Sequence, residues 1–147
     1  MKPVLTFLSI FFCVTFLAAQ SEKDIEVPFA VLDQFSLNYP DAKSILWEKK
    51  GEKYQARFKN DKMETMAMLS DSGEIIKTET EIKAIALPEA ATAYLQKNFE
   101  DKKIEETKIM EDQAGIITFR AQVEKVDFTF DSNGQLIATD QVVIGSK

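Results

Sequence analysis

The chain has 147 residues, 45% of them hydrophobic, with 18 basic against 24 acidic side chains and a formal net charge of −6. It has no histidine and one cysteine, Cys13, which excludes Ser-His-Asp and Cys-His catalysis and histidine-ligated metal sites. Acidic and basic residues are interleaved with no Lys/Arg block, so the basic footprint of a nucleic-acid binder is missing.

Lys2 is followed by an apolar run from Val4 to Ala19 that closes on two small residues before Ser21-Glu22-Lys23-Asp24. This layout predicts a secretory signal peptide over residues 1–20, the apolar run being shorter than the ~20 residues of a membrane span. Cys13 lies inside it, and Phe12 before it is not the small residue of a lipid-attachment site. After cleavage the chain is expected to be exported, periplasmic or extracellular, with no cysteine and thus no disulfide. Loss of Lys2 takes the charge from −6 to −7. The remaining ~125 residues are enough to be held by a core alone.

Residues 21–26 read as a polar leader, and residues 27–147 as one domain. Pro28 suits a helix start, Val31, Leu32, Phe35 and Tyr39 share one helical face, and Pro40 stops the helix. Four strands follow, "SILWEK", "EKYQARFK", "KMETMAML" and "EIIKTETEI", and links this short make antiparallel hairpins. The plan then restarts. "LPEAATAYLQKNF" reads as a second helix, followed by strands at 103–110, "IITFRAQV", "VDFTF" and "QLIATDQVVI". Pro88 lies 60 residues after Pro28, and Gly134 lies 61 after Gly73. The spacing predicts an internal duplication, with repeats at 27–86 and 87–147.

Val27-Pro28, Phe35, Tyr39-Pro40, Ala42, Trp47-Glu48, Tyr54, Ala56, Phe58 and Asp71-Ser72-Gly73 together resemble the PepSY-like, beta-lactamase-inhibitor-protein-like domains exported by Bacteroidota. The second repeat matches more loosely, through Leu87-Pro88, Phe99 and the Asp131 to Gly134 turn; Thr107 stands nearest to the place of Trp47. The resemblance implies an α+β fold of two tandem helix-plus-four-stranded antiparallel meander units, with the helices packed on one face of the sheets. It implies no catalytic residue, and no inhibitory surface is carried over.

The residues themselves point away from catalysis. The Asp-to-Gly stretches at 71–73 and 131–134 fail the calcium-loop pattern: from Asp131, position 12 is Val142, and from Asp71, position 3 is Gly73. They read as turns. Glu79 with Glu81, and Glu105 with Glu106, read as solvated strand faces rather than catalytic pairs. Met63, Met66 and Met68 could offer thioethers to Cu(I), but only Met66 and Met68 share a strand face, too few ligands for a site. No catalytic residue, metal site or cofactor is expected.

Two-residue turns at Lys50-Gly51 and Asn60-Asp61 would put Ile45, Trp47, Tyr54, Ala56, Phe58, Met63, Ala67, Leu69 and Ile75 on the core face. The opposite face then gathers Leu46, Gln55, Arg57, Glu64, Met66, Met68 and Ile76, with Arg57 opposite Glu64. In the second repeat the same reasoning puts Ile117, Phe119, Ala121, Val123, Val126, Phe128 and Phe130 inside and leaves a polar outer face. Arg57 and Arg120, the only arginines, are expected at matching places. Arginine and methionine are enriched at interfaces. Leu46, Arg57, Glu64, Met66, Met68, Ile76 and Arg120 are therefore the candidate partner-binding residues of a non-enzymatic binding module, inhibitory or protective toward a protein or peptide of the cell envelope. The alternative is a carrier of a small apolar ligand or metal ion. A sheet edge could also pair two copies.

Overall fold

The computed structural model describes residues 25–141. The expected signal peptide, most of the polar leader and the end of the last predicted strand lie outside them. Elements run in the expected order: α1 (Phe29–Asn38), β1 (Lys43–Lys50), β2 (Lys53–Asn60), β3 (Met63–Leu69) and β4 (Ile75–Glu81). After a 3-10 turn at Ala84–Ala86 come α2 (Glu89–Asn98), β5 (Ile104–Asp112), β6 (Ile117–Val123), β7 (Val126–Asp131) and β8 (Leu136–Gln141). The strands form one eight-stranded antiparallel sheet in sequence order, not separate sheets. The join is β4 with β5, where Glu79 lies opposite Met110 and Thr80 opposite Ile109.

Each helix starts from a proline whose carbonyl accepts the first helical hydrogen bonds, Pro28 from Val31 and Leu32 N–H, Pro88 from Thr92 N–H. Val31 and Phe35 of α1 are buried with Tyr54, Ala56, Phe58, Ala67 and Leu69, flanked by Val27, Tyr39, Ala42, Trp47 and Ile75. Phe35 stacks edge-on to Phe58 at 4.9 Å and to Trp47 at 5.1 Å, the arrangement favoured by aromatic quadrupoles. Val27, Phe35, Tyr39, Ala42, Trp47, Tyr54, Ala56 and Phe58, eight of the residues that carry the family resemblance, belong to this cluster or pack against it. A second cluster joins Ala91 and Leu95 of α2 to Ala121, Val123, Phe128 and Phe130. The ladder Phe58–Thr65–Thr80–Ile109–Phe119–Phe130 crosses the sheet on one side, so both clusters lie on the same face.

Register differs from expectation in the first two hairpins. The turns are Gly51-Glu52 and Asp61-Lys62, one residue later than predicted, so Trp47 faces Ala56 and Phe58 faces Thr65. A shift of this kind moves each pairing by two residues, which preserves the faces. Three residues assigned to the core are in fact exposed. Ile45 is 40% exposed beside a bulge at Ser44, which has φ 55°; Met63 is 43% and Ile117 40% exposed, each at a strand end beside a turn. Leu32 is also exposed, on the rim of its helical face.

The Asp-to-Gly stretches are turns, and their chemistry explains their residues. Asp131 Oδ1 accepts from Asn133 and Gln135 N–H, and its carbonyl accepts from Gly134 N–H. In the first repeat Ser70, not Asp71, holds that place: its Oγ accepts from Glu74 N–H and its carbonyl from Gly73 N–H. Asp112 builds a third copy, with Oδ1 accepting from Ala114 and Ile116 N–H. Each oxygen is spent on the turn's own backbone. The glycines serve packing as well. Gly73 and Gly134 are buried at φ 90° and 81° under the first turns of α1 and α2. A Cβ on Gly73 would come within 2.6 Å of the Ala30 carbonyl oxygen, and one on Gly134 within 2.7 Å of Ala91 N. Gly51 has φ 64° but open space around it. Gly73→Ala and Gly134→Ala should each cost about 3 kcal/mol in urea unfolding, and Gly51→Ala only about 1 kcal/mol, the conformational part alone. Equal losses at all three would place the effect in backbone conformation and not in the helix contact.

Candidate functional site on the outer sheet face

The outer face is the side of the sheet opposite the helices. One cross-strand row on it runs Leu46–Arg57–Met66–Glu79–Met110 from β1 to β5, and a neighbouring row runs Glu48–Gln55–Met68–Lys77. A 320 Å³ depression opens there, lined by Gln55, Arg57, Glu64, Met66, Glu79 and Glu81 from the first half and Glu106 and Lys108 from the second. The site spans the β4–β5 join.

Its polar groups divide into those already engaged and those not. Glu64 bonds Lys59 at 3.2 Å rather than Arg57, because the register places Arg57 opposite Met66. Lys108 is held by Glu106 at 2.8 Å. Glu79, with a side chain only 13% exposed, takes Lys77 at 2.9 Å and Arg120 at 3.2 Å. Burial alone would raise its carboxyl above the usual 4.5, but the Lys77 hydrogen bond and the charges of Lys77, Arg120 and Lys108 more than offset this and hold it below. Glu79 is thus not the solvated strand residue expected; pairing with β5 puts β4 in the middle of the sheet. Arg120 also reaches Asp127 at 3.6 Å. Arg57 is exposed and has no ion-pair partner among the described residues. Gln55 is 6% exposed, and its buried Nε2 has no hydrogen-bond partner. An unmade bond at a buried amide costs about 1–3 kcal/mol.

Arg57 and Arg120 do not correspond. Ala67 and Phe128 are 61 residues apart, as are Gly73 and Gly134, and they face Ala56 and Ala121. One residue back along β2 and β6, Gln55 matches Arg120; one residue on, Arg57 matches Gln122, which donates to Asp127. By the same alignment Thr107 takes the place of Trp47, and its hydroxyl donates to the Ile82 carbonyl.

Of the candidate residues, Arg57, Glu64 and Met66 line the depression. Leu46, 68% exposed, lies across from Arg57, and half-buried Met68 lies across from Gln55. Ile76 is the extra residue of a bulge between Met68 and Leu69 of β3 and β4, and Arg120 is tied into the ion-pair network instead. Gln55, Glu79, Glu81, Glu106 and Lys108 were missed as site residues. For Gln55 the signal was its place on the outer face of β2; for the other four it was the run of charged residues on β4 and β5, whose two strands the sequence gives no means of pairing.

The two arginines should therefore behave differently. Arg120→Ala leaves Glu79 and Asp127 half-buried without it and should lower unfolding stability by about 2 kcal/mol. Arg57→Ala should stay within about 0.5 kcal/mol of the parent. Chemical denaturation of both variants checks this; equal losses would contradict the assignment of Arg120 to structure and Arg57 to a free surface.

No protein-family model matches the chain and no curated protein matches it. Solved structures do. A BLIP-like protein from Bacteroides fragilis is 26% identical, with a TM-score of 0.72 over 83% of this chain and 91% of its own. A protein from Bacteroides eggerthii described as periplasmic is 18% identical, with a TM-score of 0.73 over 79% of this chain and 89% of its own. A DUF2874 family protein from Bacteroides ovatus is 16% identical, with a TM-score of 0.73 over 80% and 89% of the two chains. None of the three is described as an enzyme. The periplasmic description agrees with the export expected from residues 1–20. The chain has the fold of these Bacteroides proteins, and one of them, the BLIP-like protein, matches the beta-lactamase-inhibitor-protein-like family that its sequence resembles.

Proposed function

We propose that the protein is a periplasmic, non-enzymatic binding module that holds a partner protein or peptide on the outer face of its sheet, around Leu46, Arg57, Glu64, Met66 and Met68. The observation that carries this reading is the pair of unengaged donors on β2, the buried Gln55 amide and the exposed Arg57 guanidinium, at one depression. Their counterparts in the second half, Arg120 and Gln122, are both engaged. Two copies of one unit, 27–86 and 87–147, would thus have diverged, one outer face closing into ion pairs and the other staying open. Half-buried methionines beside an arginine suit an adaptable contact.

The carrier reading has less support. The clefts open to solvent, including the one that Leu95, Phe99, Ile104 and Val123 line at the second core, and no group of three or more acidic, His or Cys side chains among the described residues is placed to hold a metal. Among them, too, no helix is long and apolar enough to cross a membrane. The reading needs no second copy. The β1 edge carries Lys43, Lys49 and Lys50 and a bulge near Ser44, devices that discourage edge pairing. Inhibition, as in the name of the BLIP-like neighbour, would be one outcome of such binding.

Affinity capture from envelope extracts tests the proposal. Proteins retained by the parent should be lost with Arg57→Glu combined with Met66→Ser and Met68→Ser, while circular dichroism stays that of the parent. Unchanged retention by the folded variant would refute it.

A further inference from the structure

We infer that the segment received by this face presents a lysine or arginine side chain to Glu81, with its main-chain carbonyls taken by Gln55 and Arg57. This rests on the binding reading above and gives the partner's chemistry.

Charge gives the first part. The lining carries four carboxylates, Glu64, Glu79, Glu81 and Glu106, and two cations, Arg57 and Lys108. Three of the four carboxylates are satisfied internally, by Lys59, by Lys77 with Arg120, and by Lys108. Glu81 has no ion-pair partner among the described residues, although Lys108 lies directly opposite, because the Lys108 ammonium goes to Glu106. Glu81 is thus the one lining carboxylate left to pair, and an incoming ammonium or guanidinium reaches it without displacing an internal cation.

The second part comes from donors. Gln55 Nε2 is buried without an acceptor, and Arg57 lacks one two residues along the same strand face. The terminal torsion of glutamine is broad, so the amide can turn toward a carbonyl arriving at the depression. Main-chain carbonyls suit both donors, the uncharged Gln55 amide and the Arg57 guanidinium alike. Met66, between Arg57 and Glu79 in the same row, supplies an adaptable apolar floor for the aliphatic stem of a long basic side chain.

The test is a titration of the exported, 15N-labelled protein with three short blocked peptides that differ only in a central Lys, Gln or Glu. The Lys peptide should move the amide resonances of Arg57, Met66, Glu81 and Lys108, and should bind about tenfold more tightly than the Glu peptide. Glu81 is exposed, so Glu81→Gln should keep the parent spectrum while bringing the Lys peptide down to the level of the Gln peptide. Gln55→Leu should weaken all three alike. Binding on this face without preference for Lys, a preference for Glu, or a Lys preference that survives Glu81→Gln would overturn the inference and leave the binding reading standing. No shift on this face with any peptide would overturn both.

Discussion

Everything on the outer face depends on the ladder between β4 and β5. Each half has its own helix and its own buried cluster, and with β4 as a free edge each could have stopped there. Pairing β4 with β5 instead makes one sheet, sinks Glu79 into its middle and brings Arg120 from the second half onto it. With Glu79 and Asp127 holding Arg120, the second half's outer face is closed. The same join carries Glu106 and Lys108 to the edge of the depression that Gln55, Arg57 and Met66 begin. The candidate site belongs to neither repeat alone.

Much of the architecture was legible in the sequence because it rests on local rules. Helix starts at Pro28 and Pro88, alternating apolar strands and short turns fixed the element order and most of the core. The misplaced turns at Lys50-Gly51 and Asn60-Asp61 left the faces right, since a shift of two residues in pairing does not exchange them. Ile45, Met63 and Ile117 were misassigned because alternation says nothing of a bulge or of a strand end. The motif that signals the family is the first aromatic core, built on Phe35, Trp47, Tyr54 and Phe58, which explains why the resemblance conveys fold and no activity.

The site was legible only in part. Arg57, Glu64 and Met66 follow from alternation within one repeat. Glu79, Glu81, Glu106 and Lys108 come together only through the β4–β5 ladder, and no hairpin turn links those strands; the connection passes through α2. The equivalence of Arg57 and Arg120 failed for a related reason. The β2–β3 turn falls at Asp61-Lys62 and the β6–β7 turn at Glu124-Lys125, so a constant offset between repeats cannot hold for β2 and β6 as it does for the later strands. The two halves share the buried glycines Gly73 and Gly134 and differ in what their outer faces display.

The two halves form one cooperative sheet across β4 and β5, with the site lying over the join. Native-state amide hydrogen exchange is the measurement that decides this. Thr80 and Ile109, which face each other across the join, should exchange only through global unfolding, with the same free energy as the most protected core amides of β2 and β6. Exchange of these amides through a lower-energy opening, while both cores stay protected, would show two independently stable halves and would contradict a site built across them.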